Sequence, residues 1–120
     1  MRLTAERLTI SKPKFAVGDI VKVPFPFVEA PRVRNRRALV TRVAHPADGM
    51  TLLWVLMITS AENKAWIGDI SLIEHFATCG LPVPSVIRTA KVATVESARA
   101  TILGRLPEDL LKLVRQQIAE

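Results

Sequence analysis

Short apolar runs separated by turn-forming residues dominate the chain from residue 15 onward. Residues 20–23 are rich in β-branched side chains and follow Gly18-Asp19, a turn signal, so they predict a strand. Pro24 and Pro26 lack the N–H that a sheet ladder needs, which predicts that pairing stops there and that 25–35 form a long loop. A second strand is expected over 37–44, a turn over 45–49, and a third strand over 52–59. That third run is apolar on both faces except at its end, so both sides need cover. The core supplies one; the C-terminal helix or a second copy of the chain supplies the other.

Beyond a polar turn at 61–64, residues 65–73 predict one or two short strands broken at Gly68-Asp69. A single helical turn is expected within 74–80, extended chain at 81–84, and strands at 85–89, 92–95 and 98–103. Pro107, Glu108 and Asp109 then suit the start of a helix. Leu110, Leu111, Val114 and Ile118 recur at helical spacing, giving an amphipathic helix over 107–118. Residues 1–14 are polar and basic and read as a leader or, equally, as carrying an edge strand at 7–10. Residues 15–120 form a single domain, mainly β with a C-terminal α-helix, built as a small barrel or curled sheet.

Composition narrows the functional classes. With 17 Lys and Arg against 11 Asp and Glu, the net charge is +6, which favours a polyanionic partner and RNA or DNA before a membrane. The one cysteine, Cys79, excludes an internal disulfide. His45 and His75 have no Cys pair near them, which argues against zinc, and no metal or other cofactor is expected. The longest apolar run, 52–58, is far too short to span a bilayer, and the N-terminus lacks a signal-peptide core, so a cytoplasmic location is expected.

Candidate chemistry gathers around the second strand. Arg32, Arg34, Arg36, Arg37 and Arg42 place five guanidinium groups within eleven residues. Each can grip phosphate through two parallel hydrogen bonds and stays charged near neutrality. Phe25, Phe27, Trp54 and Trp66 could stack on bases, although core packing is the default for Trp54 and Phe25. Glu29, in the long loop, is a lone carboxylate able to act as a base. Cys79 reads as a packed small residue rather than a nucleophile. The residues alone describe a basic β-domain able to bind nucleic acid.

Five segments in order go further: F-x-x-G-D-I-V-x-V-P-F-P-F, R-R-A-L-V, I-T-S, P-S-V-I-R and G-R-L-P-E-D-L-L. Together, over residues 15–118, they resemble the MazF/PemK family of toxin ribonucleases. The resemblance implies an SH3-like or CcdB-like β-barrel with a C-terminal helix, a homodimer, and a cognate antitoxin as partner. It implies metal-independent, sequence-selective cleavage of single-stranded RNA through attack of the 2′-hydroxyl on the adjacent phosphate. By that resemblance Arg36 is the central catalytic residue and Thr59 its companion. Phe27, Glu29, Arg34, Arg37, Ser60, Arg88 and Lys91 are the candidates for substrate contact, with Arg88 a catalytic candidate in some branches. Arg37 stands where the family usually has proline and could share or replace the role of Arg36. Ala90 stands where some branches have an aspartate, a role the adjacent Lys91 could not fill. A catalytically silent relative that binds RNA or a partner is one alternative. A CcdB-like gyrase poison is another, disfavoured because the last forty residues hold no aromatic.

Overall fold

The alternation of the sequence becomes six strands and one helix. A computed structural model describes residues 14–26 and 33–119, without the side chains at 25, 26, 33 and 34. In chain order these are β1 (Asp19–Pro26), β2 (Val33–Ala47), β3 (Met50–Ser60), β4 (Ile70–Ser71), β5 (Ser85–Glu96), β6 (Thr101–Arg105) and α1 (Glu108–Ile118). All neighbours are antiparallel, in the order β4-β5-β3-β2-β1-β6. The fold is mainly β with a C-terminal helix. Among the described residues the sheet stays open, with β4 and β6 as its edges.

Both faces of the sheet are buried by the chain itself. On one face Ile20, Leu39, Leu56, Ile58 and Ile87 pack under Leu110, Leu111 and Val114 of α1 and under Leu72, Cys79 and Leu81. On the other, Val21, Val23, Ala38, Val40, Leu53 and Val55 are fully buried against Phe15, Val43, Ala93, Val95 and Ala100. Val43, Ala93 and Val95 lie beyond register shifts in the β2–β3 ladder after Val40 and in the β3–β5 ladder after Leu56. Bulges of this kind bend strands; beyond them Val43 and Val95 flank Leu53 and Ala93 flanks Val55 in the ladders, extending the second core along the sheet. The double burial of β3 therefore does not by itself require a second copy of the chain.

Several elements depart from the pattern expected. Pro24 and Pro26 lie inside β1 and pair with Asn35 and Val33. This is possible because β6 pairs with Asp19–Lys22 and, among the described residues, the rest of β1 has β2 as its single neighbour. The two strands expected at 85–89 and 92–95 are one, β5, with Thr89, Ala90 and Lys91 forming a bulge between Arg88 and Val92. Residues 65–73 hold only the two-residue β4, whereas the single helical turn expected within 74–80 is present, the Cys79 N–H donating to the His75 carbonyl at 3.1 Å. Ile118 is 42% exposed, so the buried stripe of α1 ends at Val114. Trp54, expected in the core, is 41% exposed: the face it shares with Leu56 and Ile58 is not covered by α1 as far as Trp54. The leader and part of the expected long loop fall outside the described residues.

Two glycines let backbone meet backbone behind α1. A Cβ on Gly104 would lie 2.2 Å from the Cys79 carbonyl oxygen, and one on Gly80 would lie 2.3 Å from that of Leu103. Neither oxygen can move without disturbing β6 or the 73–80 turns. Gly104→Ala is therefore expected to lower the unfolding free energy by about 1–3 kcal/mol or more, read from urea denaturation of the variant beside the wild type.

Candidate functional site

The β2–β3 register brings the basic end of one strand to the hydroxyl end of the other. Arg37 pairs with Ile58 and Ala38 with Met57. Continuing by one residue sets Arg36 opposite Thr59, because antiparallel partners step in opposite directions. A cavity of about 180 Å³ opens at this corner, lined by Asn35, Arg36, Arg37, Ile58, Thr59, Ser60, Asn63, Pro82, Val83 and Ser85. Successive strand residues point to opposite faces, yet both arginines line it, since it wraps the corner where the ladder ends. Among the described residues no carboxylate lines it.

The lining is rich in donors. Arginine donates and never accepts, and the Arg37 Nε–H is buried with no hydrogen-bond partner among the described residues. Thr59 Oγ1 accepts a 2.6 Å hydrogen bond from Asn63 Nδ2. Ser60 Oγ accepts one of 3.2 Å from the Glu62 N–H. Such a corner, with two cations and hydroxyls already used as acceptors, suits an anionic oxygen.

Of the residues singled out by sequence, Arg36, Arg37, Thr59 and Ser60 meet in this cavity. Phe27 and Glu29, and the side chain of Arg34, fall outside the described residues. Arg88 is elsewhere. It is paired with Asp69 at 3.0 Å, the two side chains only 8% and 10% exposed, and donates a 2.7 Å bond to the Lys64 carbonyl. Its guanidinium lies 4.4 Å from the centre of the Trp66 ring. This cation is already neutralised and stacked. Lys91 sits half-buried in the β5 bulge and does not line the cavity. Trp54 carries Arg42 over its ring at 4.7 Å. Cys79 is buried, and burial pushes its thiol up, away from the reactive thiolate.

Asn63 and Ser85 line the cavity without having been singled out as site residues. The only sequence signal for Asn63 was its place four residues after Thr59 in a polar turn. Among the described residues no three His, Cys, Asp or Glu side chains could together hold a metal ion, and no described helix is long and apolar enough to cross a membrane.

Comparison with known proteins agrees with this architecture. The sequence profile of the PemK-like, MazF-like toxins of type II toxin–antitoxin systems matches residues 16–120. No curated protein sequence matches the chain. Among solved structures, a MazE–MazF crystal structure from Deinococcus radiodurans (form II) aligns with a TM-score of 0.68 at 24% identity, over 90% of this chain and 95% of that one. MazF from the same organism (form I) aligns with a TM-score of 0.67 at 23% identity, over 90% and 96%. At that identity the likeness is one of fold.

The Asp69–Arg88 pair gives a direct test of stability. Burial would raise the Asp69 carboxyl, but the hydrogen bonds from Arg88 and the Trp66 N–H, with the Arg88 charge, bring it below its ordinary 3.8. A carboxyl lowered in the folded state stabilises above its unfolded value and loses that contribution as pH falls through the folded one. Asp69→Asn leaves the Arg88 charge buried without its partner and should cost about 3–5 kcal/mol near neutral pH. Urea midpoints from pH 7 to pH 2.5 should show the gap between wild type and variant narrowing below about pH 4.

Proposed function

The chain belongs to the PemK-like, MazF-like toxins of type II toxin–antitoxin systems, and from that premise we propose that it is a metal-independent endoribonuclease cutting single-stranded RNA at selected sequences. The observation that carries this reading is the sharing of one cavity by Arg36, Arg37, Thr59 and Ser60 at the joined ends of β2 and β3, with no carboxylate among its described lining residues.

In this reading the scissile phosphate rests against the arginines. The ribose O2′ attacks phosphorus, its proton leaves to a base, the P–O5′ bond breaks, and O5′ takes up a proton. The products are a 2′,3′-cyclic phosphate and a 5′-hydroxyl. Negative charge grows on the non-bridging oxygens as the fifth bond to phosphorus forms. Arg36 is the principal stabiliser of that charge, Arg37 shares the load, and the Thr59 hydroxyl adds a neutral donor. Removing one donor from such a site costs about 2.7–4 kcal/mol of barrier. Arginine is too weak an acid to move the protons; Glu29 is a candidate base, and Phe27 and Arg34 candidates for contact with flanking nucleotides. The ion pair and stacking of Arg88 favour a supporting role over phosphate contact. Lys91 adds to the basic field rather than to the cavity.

By the same family membership we propose a homodimer and a cognate antitoxin that covers the RNA-binding groove. The net charge of +6 suits an acidic partner as it suits RNA.

Incubation with a long single-stranded RNA in EDTA, followed by mapping of the ends, tests the activity. Discrete cuts ending in cyclic or 3′-phosphate are expected, and intact RNA would reject the reading. Arg36→Ala should lower the cleavage rate at least about 10²–10³-fold with an unchanged thermal midpoint. Full activity in that variant would remove Arg36 from its role.

A further inference from the structure

Asn63 touches Thr59 without belonging to either strand, and it lines the same cavity. A threonine hydroxyl has one proton and two lone pairs. Where a neighbour donates to one lone pair, the proton turns toward another acceptor. Asn63 Nδ2 donates to Thr59 Oγ1 at 2.6 Å. We propose that Asn63 is a positioning residue that fixes the Thr59 hydroxyl as a donor toward an anionic oxygen in the cavity, resting on the reading that an RNA phosphate binds there.

The turn that presents Asn63 is held from two sides. Its backbone N–H donates to the Ser60 carbonyl at 3.1 Å. The next residue, Lys64, offers its carbonyl to Arg88 Nη2 at 2.7 Å, and Arg88 is itself held by Asp69. A buried ion pair thus anchors the segment that delivers the amide to Thr59. This gives Arg88 a structural reason to be present even though it lies outside the cavity. An asparagine is well suited to the position because its amide can donate. An aspartate could only accept, and would draw the Thr59 proton back toward the turn.

A double-mutant cycle tests this in the full chain. Asn63→Ala, Thr59→Val and the double variant are compared with wild type for RNA cleavage and for the Kd of a mixed-sequence, single-stranded 2′-deoxy oligonucleotide, which lacks the attacking hydroxyl. Asn63→Ala should lower kcat about tenfold and weaken the oligonucleotide by about threefold, with an unchanged thermal midpoint. In the Thr59→Val background the same substitution should change neither quantity by more than about 1.5-fold. Asn63→Asp should lower kcat further than Asn63→Ala in the wild-type background. Equal losses with and without the Thr59 hydroxyl, or no loss at all, overturn the inference. A wild type that binds the oligonucleotide but leaves RNA intact rejects the nuclease reading while the binding cycle still decides on Asn63. A wild type that neither binds nor cuts overturns both.

Discussion

The pairing register of β2 and β3 is the constraint on which the rest depends. Arg37 opposite Ile58 and Ala38 opposite Met57 fix which side chains share a face and which strand ends meet. A slip of β3 by one residue against β2 would send Leu56 and Ile58 away from the helix and carry Leu53 and Val55 out of the second core. Because both faces are dry, neither core tolerates that exchange. The register that satisfies the cores is the same one that brings Arg36 and Arg37 to the hydroxyls of Thr59 and Ser60. Geometry at the corner is thus set by the hydrophobic burial of the same two strands, beginning with Ala38 and Ile58 directly beside it, which is an economical way to hold cations that would otherwise repel one another.

The charges of the molecule fall into three kinds of environment. Asp69 and Arg88 are nearly enclosed, each satisfied by the other, by Lys64 and Trp66, and their interaction is local and rigid. Arg105 and Asp19 form a second pair, but the arginine is half exposed, so its share of stability is small. The arginines of the cavity differ from both, since among the described residues no carboxylate lines their corner. That contrast separates an arginine that braces the fold from arginines able to receive a phosphate, a distinction that residue type alone does not make.

Much of this was legible in the chain. The apolar alternation gave β1, β2 and β3 their places, and the Pro-Glu-Asp start with leucines at helical spacing gave α1. Arg36 and Thr59 came from a family resemblance in five ordered segments rather than from any single motif. What was not legible depended on long-range geometry. The bulge at Thr89–Lys91 joins two expected strands into one, and nothing local announces it. Trp54 looks like core by its neighbours, and only the reach of α1 leaves it exposed. Arg88 reads as one more cation until Asp69, nineteen residues back, is seen against it. Asn63 has meaning only once its turn folds back to Thr59.

The prolines of β1 have an effect on how molecules meet. Among the described residues that strand has one open side from Val23 onward, and an open side is where a foreign strand would dock and seed aggregates. Pro24 and Pro26 remove two of the donors such a docking would use. The flank of the sheet nearest the basic corner is thereby made a poor template for another polypeptide while its charge remains on offer to a polyanion.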